Sequence, residues 1–330
     1  IIIDGWGIAP PGPGNAVSLA KLNVLPRLWS SYPHGKLAAS GEAVGLPKGE
    51  DGNTETGHLN IGAGKVGYQD LPRINMAIAE GSFFQNEAFL SAISHCEGHM
   101  SNLHLIGLIG SGGVHSNMEH LFALLWFCKN AAFSRVFIHL ISDGRDSPPK
   151  SAVTYIRQVE DEINRVGIGT IAAVMGRYFA MDRDQRWERT EKAYVALTKG
   201  QGLTANSPTE AISQAYARGV TDEFIEPAVI AEKDGDAVHA NDNDSFIYIN
   251  FREDSARQLT ETFVLKDFDR FGRQELKNIY FATMTRYKEG LDIHVAFPPL
   301  EIKNTLAEIL SKNNKKQLHI AETEKYAHVT

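Results

Sequence analysis

Cysteine is scarce in this chain. Cys96 and Cys128 are the only two among 330 residues, too few for a disulfide framework or a structural zinc site. Cys128 follows the apolar run Leu121-Phe-Ala-Leu-Leu-Trp-Phe127 and reads as a buried helical thiol. No apolar run approaches the roughly 20 residues of a membrane span, and no secretory leader opens the chain. A reducing cytoplasm is the expected location. Positive charge is also in short supply: the formal net charge is −7, with no basic stripe to offset it. That argues against a nucleic-acid or membrane-surface protein. Internal repeats are absent. What remains is an ordinary globular composition, 43% hydrophobic and 22% charged, in a chain long enough for two domains. It opens on Ile1-Ile2-Ile3 without a methionine, which reads as a buried strand already under way, and stops at His328-Val329-Thr330. Both ends read as cut, so a piece of a longer protein is expected.

The densest stretch of chemistry is Asp51-Gly-Asn-Thr54-Glu-Thr-Gly-His58, continued by Leu59-Asn-Ile-Gly-Ala-Gly64. Its glycines let backbone turn sharply and approach a ligand. An alcohol at such a turn, ahead of an apolar run, is how a nucleophile is presented at a strand-to-helix junction. The plainer reading is a Gly/Asn turn capping a helix, and on these residues alone it is preferred. Asp4, in Asp4-Gly-Trp-Gly7 after the isoleucines, is a candidate hard-metal ligand or simply the opening of a turn. Residues 8–18 read as loop, and Lys21 to Tyr32 as a helix.

From Arg73 apolar strands alternate with amphipathic helices, the pattern of a parallel α/β sandwich. Strands are predicted at Leu103–Ile109, Val136–Ile141, Thr170–Met175 and Phe246–Asn250. Helices are predicted at Met118–Asn130, Ser151–Val166, Arg186–Thr198 and Pro208–Arg218. His115, Arg145 with Asp146, Arg177 and Arg252 each fall just beyond the carboxyl end of one of those strands. In a parallel sheet these ends share one rim, and converging guanidinium groups bind phosphate or carboxylate bidentately. Any one such arginine reads as a surface residue; the recurrence at successive strand ends points to a pocket for a small, multiply charged anion. His95 and His99 have metal-like spacing, but their surroundings read as a surface turn. Asp234 to Asp244 reads as a solvated connection. Breaks near Tyr68–Pro72 and Ala296–Leu300 mark the middle section as an insert between two flanks of another domain. Beyond the second break, Asn304–Lys312 reads as a helix and Gln317–Ile320 as a short strand.

Together these strings resemble the cofactor-independent (2,3-bisphosphoglycerate-independent) phosphoglycerate mutase family of the alkaline phosphatase superfamily. The resemblance covers nearly the whole chain. It rests on Asp4-Gly-Trp-Gly7, Ala39-Ser-Gly-Glu-Ala-Val-Gly-Leu-Pro47, the Thr54 stretch, Tyr68-Gln-Asp70 and Gly112-Gly-Val-His-Ser116. It continues through Asp143-Gly-Arg-Asp146, Gly176-Arg-Tyr178, Ala180-Met-Asp-Arg-Asp184, Asn250-Phe-Arg252 and Ala321–Thr330. Each string is weak alone; their order and spacing make them specific. The resemblance implies an α/β fold: a three-layer αβα phosphatase-like domain, incomplete and split over 1–69 and 300–330, around an inserted αβα transferase domain at 70–299. It implies a metal-dependent isomerase of glycolysis and gluconeogenesis that interconverts 3-phosphoglycerate and 2-phosphoglycerate as a monomer when complete. Two divalent metals are expected, manganese foremost with magnesium or cobalt as alternatives, and no 2,3-bisphosphoglycerate. Thr54 falls on the nucleophile and, with Asp4, on metal-ligand positions; Lys325 falls on a lysine linking nucleophile and phosphate. His115, Arg145, Asp146, Arg177, Arg183 and Arg252 fall on substrate-binding positions, and Asp146 also on a catalytic one.

The chain departs from the family pattern in four places. Thr54 replaces the usual serine, and its methyl narrows the approach to the hydroxyl. Ser255 stands where a second arginine follows Asn-Phe-Arg, and Arg257, two positions on, would face elsewhere on a helix. Ser111 stands where the family usually has aspartate. The remaining metal ligands of the family do not occur in these 330 residues. Two other readings therefore stand beside the mutase: another metal-dependent phosphohydrolase or phosphomutase of the superfamily, and a non-catalytic anion-binding relative. The arginine-bearing insert favours the mutase over the first.

Overall fold

A computed structural model describes residues 1–231, 237–299 and 301–329. They form two compact units, Ile1–Pro72 with Leu300–Thr330, and Arg73–Pro299. The first unit holds helices Ala16–Leu19, Leu25–Ser31, Thr54–Ala63, Leu306–Lys312 and Tyr326–Val329, and no strand among its described residues. Ile1, Ile2 and Ile3 are exposed by 98%, 53% and 44% rather than buried in a strand. The strand expected at Gln317–Ile320 is likewise absent, with Leu318 and Ile320 exposed. An apolar run becomes a strand only when its N–H and C=O groups find a pairing edge, and the described residues of this unit offer none. The helix expected from Lys21 begins instead at Leu25, because Pro26 occupies its first turn, where a missing N–H costs nothing.

The second unit is a mixed α/β domain around an eight-stranded sheet. Its strands are β1 (Leu103–Ile109), β2 (Val136–Ser142), β3 (Thr170–Gly176), β4 (Leu203–Ala205), β5 (Ala228–Ile230), β6 (Ser245–Tyr248), β7 (Tyr280–Thr283) and β8 (His294–Val295). They lie in the order β4-β5-β3-β2-β1-β6-β7-β8; the six strands from β3 to β8 in that order are parallel, and β4 and β5, parallel to each other, run antiparallel to them. β1, at the centre, is buried along its whole length, as a strand covered on both faces must be. Ile106 and Leu108 point with Phe246 and Tyr248 into a core completed by Tyr194, Leu197, Leu259 and Phe263. These last four sit on the helices Trp187–Lys199 and Glu253–Val264. The alternate residues of β1 face the opposite way, and the helices Met118–Asn130 and Ala152–Val166 also pack on β1 and on each other. Cys128 is buried in the first of these, as its apolar surroundings required. Ile109 of β1 is in register with Ser142 of β2, and Ser142 with Gly176 of β3. The three strands therefore end level and release their loops along one rim. No helix among the described residues is long and apolar enough to cross a membrane.

Two expectations are corrected here. His95 and His99 lie on a helix, Glu87–His99, rather than in a turn. Their polar atoms serve local structure: His95 Nε2 lies 3.0 Å from the Asn278 carbonyl, and His99 Nδ1 2.8 Å from that of His95. Asp244 is not part of a solvated connection but is 1% exposed; residues 234–236 lie outside the described residues. Asp244 accepts from the backbone N–H of Asn102 and of Asn241 and lies 3.1 Å from His104 Nε2. His104 Nδ1 in turn meets His139 Nε2 at 2.8 Å. A carboxylate only accepts, so His104 Nε2 carries the hydrogen that faces Asp244.

That buried wiring has a pH consequence. Burial, helped by His104, pushes His139 well below its ordinary range. Burial alone takes His120, bonded to Asn75 Oδ1, down to about 3. As pH falls through about 6.5 the unfolded chain takes up protons that the fold refuses. Stability is therefore complete above that pH and lost below it, by about 1.4 kcal/mol per pH unit for each such histidine. Urea unfolding at pH values from about 7 to about 5 should show this slope, and His120→Gln, which keeps a donor for Asn75, should remove one histidine's share. A slope untouched by His120→Gln would contradict the assignment.

A candidate anion-binding site at the rim of the sheet

The loops leaving the rim of the second unit enclose a cavity of about 380 Å³, lined by His115, Arg145, Asp146, Arg177, Arg183 and Arg252 among others. The loop after β1 supplies His115, that after β2 Arg145 and Asp146, and β3 runs straight into the short helix Arg177–Ala180. Arg252 caps the helix Glu253–Val264 after β6. Two glycines make the loops fit. Gly144 has φ +69°, and a Cβ there would lie 2.7 Å from the backbone nitrogen of Glu223. A Cβ on Gly112 would come within 2.8 Å of Asp146 Cβ, so only hydrogen allows the β1 and β2 loops to close on each other.

Arg177 is the centre of the cavity wall. It is 8% exposed, and its Nη1 donates to Asp143 Oδ1 and to Asp146 Oδ2, both at 2.6 Å. Its Nη2 lies 2.9 Å from His115 Nε2. Asp143, 2% exposed, also accepts from the Ser147 hydroxyl at 2.7 Å and from the N–H groups of Arg145 and Asp146. Burial would raise the Asp146 carboxyl, but hydrogen bonding and charge from Arg177, with His115 and Arg145, outweigh it and hold it below the usual carboxylate range. Burial and then the Arg177 charge push His115 down to about 4, so the ring is neutral.

Every guanidinium of the cavity has a carboxylate in reach. Arg183 Nη1 donates to Asp254 Oδ2 at 2.6 Å, and Arg252 Nε reaches the same oxygen at 3.1 Å. Arg189 pairs with Asp182 at 3.1 Å and stacks on Tyr178, 3.8 Å from the ring centroid. Arg145 is the loosest, 63% exposed with Glu223 at 3.9 Å. Such a wall is preorganised rather than empty of counter-charge. An incoming anion competes with the protein's own carboxylates, and one carrying several charges does so best.

The structure brings the six anion-binding candidates of the second unit into this one cavity. The sequence did not point to Asp182, Arg189 and Glu223, which also line the cavity, nor to Asp143 and Asp254, which bond its arginines; Ser255, which lines it too, reads in the sequence only as the loss of a cation. Asp143 and Asp254 stand in the same short strings as Arg145 and Arg252 and could have been read as their counter-ions. Glu223, on the turn Asp222–Phe224, has no local signal at all. Asp4, Thr54 and Lys325 belong to the first unit. There Thr54 is the first residue of the helix Thr54–Ala63, capped by Asn53, whose side chain accepts from Thr56 N at 2.9 Å. His58 Nε2 lies 2.9 Å from Asp4 Oδ2, and its Nδ1 2.8 Å from the Thr54 carbonyl. Lys325 ends the turn Thr323–Lys325, just before the helix Tyr326–Val329 that packs on Thr54–Ala63. Among the described residues no three His, Cys, Asp or Glu side chains come together as a metal site.

Comparison with known proteins places this geometry in context. A family model described as "BPG-independent PGAM N-terminus" matches residues 74–289, most of the chain and nearly all of the second unit. The chain is 52% identical over its whole length to the 2,3-bisphosphoglycerate-independent phosphoglycerate mutase of Moorella thermoacetica, and 50% identical to that of Methanococcoides burtonii. It spans 64% of the length of each of these relatives. Among solved structures it is similar to the phosphoglycerate mutase of Leishmania mexicana crystallised at low cobalt concentration. That likeness has 30% identity and a TM-score of 0.73, and covers 100% of this chain and 62% of the other.

Proposed function

The chain belongs to the 2,3-bisphosphoglycerate-independent phosphoglycerate mutase family, and from that premise we propose that it forms part of an isomerase interconverting 3-phosphoglycerate and 2-phosphoglycerate in the cytoplasm, without 2,3-bisphosphoglycerate. The second unit is the transferase domain that binds the glycerate. The first, residues 1–69 with 300–330, is part of the phosphatase-like domain that carries the nucleophile. The observation that carries this reading is the single cavity where His115, Arg145, Asp146, Arg177, Arg183 and Arg252 meet. A phosphoglycerate presents a phosphate and a carboxylate, and planar guanidinium forks suit both.

In this reading Thr54 Oγ bonds to phosphorus as the ester bond to the glycerate oxygen breaks, and the Thr54 hydroxyl proton passes to that leaving oxygen. The freed glycerate stays among the arginines and turns. Asp146, kept ionised by Arg177, takes the proton of the other hydroxyl as that oxygen takes the phosphoryl group back and the bond from phosphorus to Thr54 Oγ breaks; that proton is then returned to Thr54 Oγ, which regenerates both groups. Lys325 steadies the phosphate beside Thr54. Divalent metal, manganese foremost, would supply charge neutralisation of phosphate oxygens when bound. The described residues do not make such a site by themselves: Asp4 and Thr54 offer oxygen donors, but Asp4 is engaged by His58, and no three His, Cys, Asp or Glu side chains among the described residues come together.

The direct test is calorimetric titration of 3-phosphoglycerate into the 330-residue chain. A charge-assisted hydrogen bond is worth about 1.5–3 kcal/mol, so Arg252→Ala should weaken binding roughly tenfold to a hundredfold. Arg252→Lys should recover only part, since a point charge cannot reproduce the fork. Unchanged binding in Arg252→Ala would mean that the glycerate does not sit in this cavity.

A further inference from the structure

Ser255 lies on the cavity wall in the first turn of the helix Glu253–Val264, 2% exposed. Its Oγ is 2.8 Å from His115 Nδ1. The hydrogen positions along this path follow from what each neighbour can do. A guanidinium only donates, so Arg177 Nη2, at 2.9 Å, must place its hydrogen on a bare His115 Nε2. The ring is neutral, so its one hydrogen is on Nδ1, and Ser255 Oγ is the acceptor facing it. The serine hydroxyl then keeps its own hydrogen, and no described residue other than His115 bonds to that Oγ. While each cation of the wall has a carboxylate in reach, this hydroxyl has none.

We propose that Ser255 is a positioning and specificity-determining residue of the site: it fixes His115 as the Nδ1–H tautomer, with Nε2 committed to Arg177, and offers its own hydroxyl hydrogen to an oxygen of the bound anion. The second half rests on the reading that the cavity takes a phosphoglycerate; the first does not. The chain thus replaces a possible cation at this position with a neutral donor that needs no counter-ion. It also ties helix Glu253–Val264 to the loop after β1, which the Phe251 N–H reinforces by donating to the His115 carbonyl at 2.9 Å.

The test uses the 330-residue chain labelled with 15N at histidine, with His115→Gln to identify the His115 signals. Long-range proton–nitrogen spectra of the ligand-free chain should show His115 with hydrogen on Nδ1 and a bare Nε2. Ser255→Thr, which keeps the hydroxyl, should preserve that pattern, and Ser255→Ala should replace it with a mixture of tautomers. A parent ring with hydrogen on Nε2, or a pattern unchanged in Ser255→Ala, overturns the positioning role. A purely packing role for Ser255 would leave the ring signals alone while lowering stability. Calorimetry with inorganic phosphate and with 3-phosphoglycerate tests the other half: Ser255→Ala should bind each about fivefold more weakly, and Ser255→Thr should recover most of that. Equal affinities of Ser255→Ala and parent overturn the donor role. A parent that binds inorganic phosphate but not 3-phosphoglycerate overturns the glycerate reading while leaving Ser255 as a donor to phosphate. A parent that binds neither overturns both of those, and the ring signals still decide the tautomer.

Discussion

Arg177→Ala is expected to destabilise the second unit by about 3–5 kcal/mol, the cost of leaving a buried ion pair with one partner. The side chain is buried and binds two carboxylates and an imidazole at once. Without it Asp143 keeps the Ser147 hydroxyl and two backbone N–H groups, which satisfy hydrogen bonding but do not neutralise its charge. Arg177→Met combined with Asp143→Asn, which removes both charges, should cost less than the sum of the single changes. Hydrogen exchange of the β2 and β3 amides in increasing urea reports on this unit alone. Arg177→Ala protection equal to the parent's, or additivity in the double variant, would show that the pair does not support the fold. His115 adds a second readout. Arg177 is the second cause of its lowered pKa after burial, so its titration should move upward in Arg177→Ala.

This arginine shows what the sequence could and could not disclose. Its position was legible because a continuous apolar run must be a strand buried on both faces, and the residue after such a strand sits on the rim. The same reasoning located His115, Arg145 and Arg252. It could not say that Arg177 is buried and shared between Asp143 and Asp146, because that depends on how level β1, β2 and β3 end, which is a matter of register. The short strands β4, β5, β7 and β8 escaped for another reason: two to four residues carry no readable period, and their pairing comes from neighbours distant in sequence. In the first unit the failure ran the other way. Ile1–Ile3 and Gln317–Ile320 have strand-like composition, yet composition makes no strand where no edge is offered. Ser255 was read as the loss of a cation; the contact that gives it a role, 140 residues away on His115, leaves no mark in the local sequence.

The other large effect concerns Thr54. In the whole protein Thr54→Val, which keeps the branched shape and removes the hydroxyl, should lower turnover about a millionfold, the scale for deleting a nucleophile. Thr54→Ser should remain active, since the hydroxyl stays and the approach widens. The placement supports a phosphorylated hydroxyl at this residue. Thr54 opens the ten-residue helix Thr54–Ala63, with the side-chain cap supplied by Asn53 and spent on Thr56 N. The unpaired N–H groups of a first helical turn and the positive end of its dipole favour a phosphate there, by about 0.3–1 kcal/mol at an exposed site. That assists but does not catalyse: His58 reaches the Thr54 carbonyl and Asp4 rather than the hydroxyl, so no described base stands ready for its proton. The 330-residue chain by itself should therefore show no mutase turnover even with manganese present, while still binding 3-phosphoglycerate in the second unit. Radiolabelled phosphate transferred from 3-phosphoglycerate in the whole protein should be recovered on Thr54 and vanish in Thr54→Val. Label on another residue, or turnover by the 330-residue chain, would place the nucleophile or its activation elsewhere.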